Sequence, residues 1–335
     1  MRGFPIAVAI AAIACGACGK PGPEKLDVVR IADRGFLTNT PIYIADEEGF
    51  FADERIRLDY SEPPRSSAQI IPLLERGDID VLAPAVSAAF YAAVAQGARL
   101  RIVADRGHVS PTGCDYDGVV VRRGLFNGGP PTAAGFKGKR FSMSPAGSAA
   151  FVIDKYLQSL GISTADIQMS RMAGERVEQQ ALEAGSIDAM HVAEPYTSIL
   201  VGEGYDLVGP ARLYAPRSHY AVVVFGPTLT VEKRELGERF MKAYLRGVQK
   251  FREGHTARNV DIMVRRSGVD ADRIRKVCLP TVNADGELNY DSLLEFQQWL
   301  VSKGNLSRVL GAEAGTDMAF ARKAAKELGI PPTPR

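Results

Sequence analysis

Residues 73–80 read Leu-Leu-Glu-Arg-Gly-Asp-Ile-Asp, and residues 180–188 read Gln-Ala-Leu-Glu-Ala-Gly-Ser-Ile-Asp. Each stretch has the pattern of a helix end, a glycine, a polar residue and then Ile-Asp at the start of an apolar strand. Glycine commonly follows the last turn of a helix because it adopts a positive φ without steric cost. Both copies are followed by a strand and a further helix. The repeat therefore predicts two similarly built lobes, the second inserted into the first.

Strands and helices alternate outward from both copies. Leu26–Ala32 is rich in β-branched residues, as strands are. Thr40-Pro41 offers an N-cap followed by proline in the first helical turn. Near Gly118 the pattern restarts, and it closes with the strand Tyr220–Phe225 and the amphipathic helix Glu232–Phe251. This alternation predicts a parallel α/β architecture.

The predicted crossings of the chain between the lobes set the domain boundaries. They assign residues 26–116 and 217–335 to lobe 1 and residues 117–216 to lobe 2. A chain of 335 residues is long enough for about two domains, and 46% hydrophobic with 24% charged residues is typical of soluble globular proteins. Because 41 basic residues are balanced by 39 acidic ones, the charge gives no indication of the clustered basic surface of a nucleic-acid binder.

The first residues have the pattern of an export signal. One arginine precedes an apolar run over Phe4–Ile13, and small residues and two cysteines follow. The stretch resembles a bacterial lipoprotein signal, so we predict a signal peptide over 1–18, a flexible tether over 19–25 and a lipid on Cys18, with Cys15 as the alternative. An ordinary cleaved signal with incidental cysteines is the other interpretation. Either one places the mature chain in an oxidising, extracytoplasmic space.

Small polar residues follow several predicted strands. In open α/β sheets ligands bind beyond the carboxyl ends of the strands, where helix N-termini present free N–H groups and a positive partial charge. The alternative is that these residues only cap helices. The predicted ligand-binding residues of this kind are Thr38, Asn39, Ser66, Ser87, Ser144, Gly147 and Ser148. Charged and aromatic candidates beside them are Arg65, Glu194, Tyr196 and His219.

Several short motifs occur in an order that resembles one family. They are Pro-Ile-Tyr-Ile-Ala-Asp-Glu-Glu-Gly-Phe-Phe at 41–51, Phe-Lys-Gly-Lys at 136–139, Glu-Pro-Tyr at 194–196 and the two Gly-x-Ile-Asp joints. Together they span roughly residues 26–300 and resemble the nitrate/sulfonate/taurine family of ABC-transporter substrate-binding proteins.

This resemblance implies both a fold and a role. The fold is the two-lobed periplasmic-binding-protein fold of type II, with a ligand cleft between the lobes. The role is that of a lipid-anchored protein outside the cytoplasm, not an enzyme, which captures a small anionic, aromatic or sulfonate-like solute. Its implied partners are an ABC permease and its ATPase, and it acts as a monomer without a cofactor. The identity of the solute is not readable from the sequence.

Motifs for catalysis and for metals are missing from the sequence. Apart from Cys15-Gly-Ala-Cys18 within the export signal, it contains no Cys-x-x-Cys, and it has no His-Glu-x-x-His, Gly-x-Ser-x-Gly, P-loop or Gly-x-Gly-x-x-Gly, so we predict no metal site. For Cys114 and Cys278, separate buried thiols are favoured over a disulfide. Two alternative functions stay open: an extracytoplasmic ligand sensor, and an enzyme on the same fold similar to thiamine-pyrimidine synthase, although the cysteine run of that branch is missing here.

Overall fold

The computed structural model describes residues 26–62, 64, 67–143, 146–172 and 174–334. The predicted signal peptide, the tether and both candidate lipidation sites, Cys15 and Cys18, lie outside these residues, as do Arg65, Ser66 and Ser144. Within the described residues, no helix combines the length and the apolar character that crossing a bilayer requires.

Ten strands and fourteen α-helices are found in the described part of the chain. The strands are β1 (Asp27–Ala32), β2 (Ile56–Ser61), β3 (Val81–Leu82), β4 (Arg101–His108), β5 (Asp117–Val121), β6 (Arg140–Ser142), β7 (Gln168–Ser170), β8 (Ala189–Ala193), β9 (Asp206–Pro210) and β10 (His219–Phe225). The helices up to β9 are α1 (Thr40–Glu47), α2 (Phe50–Asp53), α3 (Ser67–Glu75), α4 (Ala88–Ala95), α5 (Ala133–Phe136), α6 (Ser148–Ser159), α7 (Glu175–Glu183) and α8 (Tyr196–Gly202). The later ones are α9 (Ala211–Tyr214), α10 (Arg234–Phe251), α11 (Ala257–Ser267), α12 (Ala271–Ile274), α13 (Tyr290–Ser302) and α14 (Ala319–Glu327). Two 3-10 turns lie at Leu37–Asn39 and Thr164–Asp166, and a π-helical turn lies at Thr228–Glu232.

Two five-stranded sheets carry the fold, and they share one strand order. The first runs β2-β1-β3-β10-β4 and the second β7-β6-β8-β5-β9. We call each sheet with the helices that follow its strands the first and the second lobe. The predicted two-lobed α/β fold is confirmed, whereas the exact domain boundaries stay a prediction.

One strand in each sheet corrects the expectation of a parallel architecture. β10 is antiparallel to β3 and β4, and β5 is antiparallel to β8 and β9. A parallel neighbour requires a crossover helix on the same sheet, but β5 and β10 each arrive directly from the other lobe. The sheets are therefore mixed.

The sequence repeat marks the same joint in both sheets. The carboxylate of Asp80 accepts the backbone N–H of Arg30 at 2.9 Å, and the Asp80 N–H donates to the Arg30 carbonyl at 2.8 Å. Asp188 makes the same pair of bonds with Arg140, also at 2.9 and 2.8 Å. In both cases the guanidinium folds back onto the carboxylate. Asp80 thus holds β3 beside β1, and Asp188 holds β8 beside β6.

The favoured interpretation of two separate thiols is wrong, because Cys114 and Cys278 form a disulfide. Cys114 lies on the connection from β4 to β5, and Cys278 lies after α12. Their Cα atoms are 5.7 Å apart, within the usual range for a disulfide, although 164 residues separate them in sequence. The expectation relied on the absence of a nearby cysteine in sequence, and folding brings these two distant segments together.

Helix α13 joins the two lobes on the side where α4 and α6 lie. The ring of Phe296 is 6.4 Å from Tyr91 on α4 and 5.7 Å from Phe151 on α6, measured between centroids. Trp299 also packs edge-on against Phe151 at 5.6 Å. The apolar core is therefore continuous from one lobe to the other.

Candidate ligand-binding site between the lobes

Two predicted site residues from different lobes meet directly. Ser87 and Gly147 form an antiparallel β-bridge, and the N–H of Ala88 donates to the carbonyl of Ala146 at 3.1 Å. Ser87 precedes α4 and Gly147 precedes α6, so the starts of these two helices lie side by side. Ser148 opens α6 and is half-buried.

The predicted polar residues are not ordinary helix caps. Ser87 and Asn39 occupy the N-cap positions of α4 and α1, but neither side chain bonds to the first turn of its helix. Gly147, the N-cap of α6, has no side chain to offer. The N–H groups of all three first turns therefore lack the usual side-chain acceptor.

A buried arginine that the sequence analysis did not single out holds the start of α1 in place. Arg106, on β4, is only 1% exposed. Its Nη1 donates to Thr38 Oγ1 and Asn39 Oδ1, and its Nη2 donates to the carbonyls of Ala83 at 2.7 Å and Pro84 at 3.2 Å. The start of α1 is thereby tied to the loop between β3 and α4 that leads to Ser87. The sequence feature that could have indicated this role is the charged pair Asp105-Arg106 within a strand whose other residues are mostly buried.

Arg106 is charged although its side chain is buried. Burial lowers its pKa from the ordinary value, and Tyr244 and Tyr116 oppose that shift. Because a guanidinium stays protonated in proteins, a full positive charge is held at this point.

Glu194 lies where the lobes are joined, and both of its carboxylate oxygens are occupied. Oε1 accepts the backbone N–H of Cys278 at 2.9 Å and the hydroxyl of Ser198 at 2.6 Å, and Oε2 accepts the N–H of Ser198 at 3.0 Å. Burial raises the pKa of Glu194, and the donors from Ser198 and Cys278 oppose that shift. Its neighbour Tyr196 is half-buried and packs against the smaller apolar cluster of the second lobe. Glu194 thus links α8 to the disulfide segment.

His219 lies in a separate polar cluster at the β4–β10 end of the first sheet. It pairs in register with His108, and its Nδ1 is 3.3 Å from Asp105 Oδ1. Asp105 also accepts His108 Nδ1 at 2.8 Å and the N–H of Asn283 at 2.9 Å. His219 is buried, so the structure does not bring it to the Ser87–Gly147 contact.

The atoms of Asp105, His108 and His219 lie within 4.8 Å of one another, close enough for a metal ion. However, His219 Nε2 accepts the backbone N–H of Asn289 at 2.8 Å. A neutral histidine that accepts at Nε2 carries its proton on Nδ1. His219 therefore turns a proton, and not a lone pair, toward Asp105.

Two tyrosines join the connections between the lobes. Tyr116 leads into β5 and Tyr220 lies on β10, and their rings stack with centroids 4.7 Å apart and planes 12° apart. Beside them, a Cβ at Gly107 would lie 2.4 Å from Cε2 of Tyr220. The two crossings of the chain are therefore packed against each other.

Solved structures with the same fold include proteins of import systems and an enzyme. The ligand-binding component of an ABC-type import system from Staphylococcus aureus, solved with zinc bound, has a TM-score of 0.72 at 15% identity, with 89% of this chain and 98% of that chain covered. The alkanesulfonate-binding protein SsuA from Xanthomonas axonopodis pv. citri, bound to MOPS, has a TM-score of 0.65 at 17% identity, with 88% and 98% covered. The desulfurization enzyme DszB has a TM-score of 0.64 at 14% identity, with 90% and 99% covered.

No curated protein sequence matches the chain. A family model described as "NMT1/THI5 like" matches residues 38–255. That range holds the start of α1, Arg106, the Ser87–Gly147 contact and Glu194, and it confirms the resemblance seen in the motifs. The chain belongs to the NMT1/THI5-like family.

Proposed function

We propose that this protein is the solute-binding component of an ABC importer. It captures a small anionic or sulfonate-like solute between its lobes and delivers it to a permease and its ATPase. The observation that carries the proposal is the contact of Ser87 with Gly147, which sets two uncapped helix starts from different lobes side by side. Uncapped helix N-termini bind anions through their free N–H groups and the helix dipole.

The location outside the cytoplasm is part of the proposal. The disulfide between Cys114 and Cys278 supports it, because such bonds persist in oxidising compartments. A lipid on Cys18, or alternatively on Cys15, would keep the protein at the membrane surface as a monomer. Mass spectrometry of the purified mature protein tests this directly, since a diacylated N-terminal cysteine adds a characteristic mass.

A thermal-shift screen over short sulfonates, carboxylates, nitrate and neutral solutes tests the binding function. A ligand that binds only the native state raises the melting temperature. Small-angle scattering with the hit should then show compaction, because the lobes are proposed to rotate about the crossings near 116–118 and 212–220. A panel without any shift would contradict the proposal.

Two variants on one helix make this test specific. Ser148→Phe places a bulky ring at the start of α6, and it should abolish the ligand-induced shift. Ser159→Phe makes the same change at the exposed far end of α6 and should preserve the shift. Equal behaviour of both variants would place the ligand elsewhere.

The solute should be recovered chemically unchanged. This outcome separates the proposed role from an enzyme on the same fold, such as DszB. Cys114 and Cys278, the two cysteines in the described residues, are bonded to each other and present no thiol nucleophile. Chromatography of the hit after long incubation with the protein shows whether any product forms.

A further inference from the structure

We infer that Arg106 makes the protein select solutes that carry a negative charge. Because Arg106 engages the hydrogen-bond acceptors at the start of α1, donors are left there for an anionic group of the solute. The hydroxyl of Thr38 is the donor that contacts this group. This inference rests on the proposed function. It concerns a residue whose side chain is buried and not itself exposed to solvent.

The charge of Arg106 has no carboxylate against it. Its five N–H donors go to five neutral oxygens: those of the Thr38 and Asn39 side chains and the carbonyls of Ala83, Pro84 and Val222. The carboxylate of Asp33 is reached only through Asn39, whose Nδ2 donates to it. Asp33 is half-buried and also accepts the hydroxyl of Tyr43 at 2.7 Å.

A buried cation held by dipoles alone is costly for folding. Buried charges are usually paired because desolvation is otherwise not offset. In a medium of low dielectric constant such a charge acts strongly on a second charge several ångströms away. Asp33 offsets part of the Arg106 charge, but from behind Asn39 and without a direct contact. An anion bound at the start of α1 would supply the missing partner.

Arg106 also decides which hydrogen-bonding groups remain for a solute. It occupies the side-chain oxygens of Thr38 and Asn39 and the carbonyls of Ala83 and Pro84. The Asn39 amide nitrogen is committed to Asp33. Among the hydrogen bonds of the described residues, the hydroxyl proton of Thr38 is left without an acceptor.

Arg106 thus already engages the acceptors at this point, and a donor is left over. A sulfonate or carboxylate fits this arrangement, because it carries a negative charge and only accepts hydrogen bonds. An amine would meet the like charge of Arg106. Asn39, although predicted as a contact, then serves to position Thr38 and not to touch the solute.

Calorimetric titration of matched solute pairs tests this inference. Short alkanesulfonates and carboxylates are each compared with the neutral methyl sulfone or amide of the same size. The wild-type protein should prefer the anion of a pair by about tenfold or more, since hydrogen bonds to charged groups are the stronger ones. A neutral or cationic solute bound as tightly as its anionic partner overturns the inference, as does the binding of no anion in the set.

Arg106→Met, checked for folding by circular dichroism, should reduce this preference to about twofold or less because the charge is gone. Arg106→Lys should retain part of it. Arg258→Met, a control on the exposed face of α11, should retain all of it. A folded Arg106→Met protein with an undiminished preference overturns the inference.

Thr38 provides a test that leaves the arginine in place. Thr38→Val removes the hydroxyl at nearly constant volume and should weaken binding of the anion by about tenfold, with little effect on the neutral partner. Thr38→Ser should restore it. Unchanged anion binding by Thr38→Val overturns the assigned contact. A neutral solute that binds and causes compaction would support the solute-binding function but contradict the role of Arg106. A protein that binds no solute would contradict both proposals.

Discussion

The indole N–H of Trp299 donates to Asp154 Oδ2 at 2.9 Å, and this bond ties helix α13 to helix α6 of the second lobe. Asp154 is fully buried and also accepts Lys303 Nζ at 2.8 Å. Because α13 packs on α4 of the first lobe as well, any rotation of the lobes must either carry this helix along or break its contacts on one side. Helix α13 therefore contacts both helices that begin at the Ser87–Gly147 contact, α4 and α6.

Trp299→Phe should destabilise the protein by about 1.5–3 kcal/mol, because it removes a donor from a buried carboxylate while keeping an aromatic ring. Denaturant unfolding measures the change. Glu295→Gln, on the same helix, breaks the partly exposed ion pair with Lys155 and should cost less than about 1 kcal/mol. Equal losses in the two variants would contradict the importance given to the Trp299–Asp154 bond.

Gly107→Ala should destabilise the protein by about 1–3 kcal/mol through overpacking. The added Cβ would meet the ring of Tyr220 at 2.4 Å and disturb its stacking on Tyr116. The control is Gly202→Ala at the end of α8, where the added Cβ meets no atom within 4 Å. Thermal melting should separate the two variants, and an unchanged melting temperature for Gly107→Ala would show that the two crossings are loosely packed.

The stability of the protein should fall as the pH rises above the ordinary range of histidine. Burial opposes a charge on His108, but Asp105 outweighs it, so the pKa of His108 lies above its ordinary value of 6.5 despite opposition from Arg252 and Arg217. A raised pKa in the folded state adds stability that is fully present below the unfolded pKa and is lost as the pH rises through the folded one.

His108→Gln should therefore flatten this part of the stability profile, measured by urea unfolding from pH 5 to pH 9, a range chosen to bracket the titration of histidine. His255→Gln, which changes an exposed histidine, should leave the profile as it is. Asp105 affects the stability of the protein in the opposite direction, because its contribution falls as the pH decreases. Burial opposes its charge, but His108 and His219 hold its pKa well below the ordinary value of 3.8, so its contribution is lost progressively as the pH falls from that value toward the folded pKa.

Reduction of the bond between Cys114 and Cys278 should lower the free energy of unfolding by about 2–5 kcal/mol, because a long loop in the unfolded chain is released. Cys114 is exposed, so a dithiol reductant reaches the bond. The double variant Cys114→Ser/Cys278→Ser should be equally destabilised and insensitive to reductant. If thiol titration proves reduction and the unfolding midpoint does not move, the bond contributes nothing to stability.

Local signals in the sequence predicted the elements that depend on neighbouring residues. Gly147-Ser148 and Gly161 predicted α6 almost as observed, because helix ends are set by residues within one turn of them. The repeat likewise predicted both Asp80 and Asp188 joints. These features need no knowledge of the rest of the chain.

Features that depend on distant residues were not predictable in this way. The oxygens that receive the guanidinium of Arg106 lie between 22 and 116 residues away along the chain, so its sequence neighbours do not reveal its role. The reversed direction of β5 and β10 has the same origin, since each strand is oriented by the lobe it enters. His219 was predicted as a charged candidate for ligand binding, and only the pairing of β10 with β4 shows that it faces Asp105.

The disulfide between Cys114 and Cys278 also forms late in the production of the chain. When residue 114 first emerges during synthesis or secretion, the sulfur it will join has not yet followed, because 164 residues separate the two. In a nascent or truncated chain that stops short of residue 278, Cys114 lacks this partner and can pair with a thiol of another copy. Closure of this bridge therefore distinguishes completed molecules from unfinished ones.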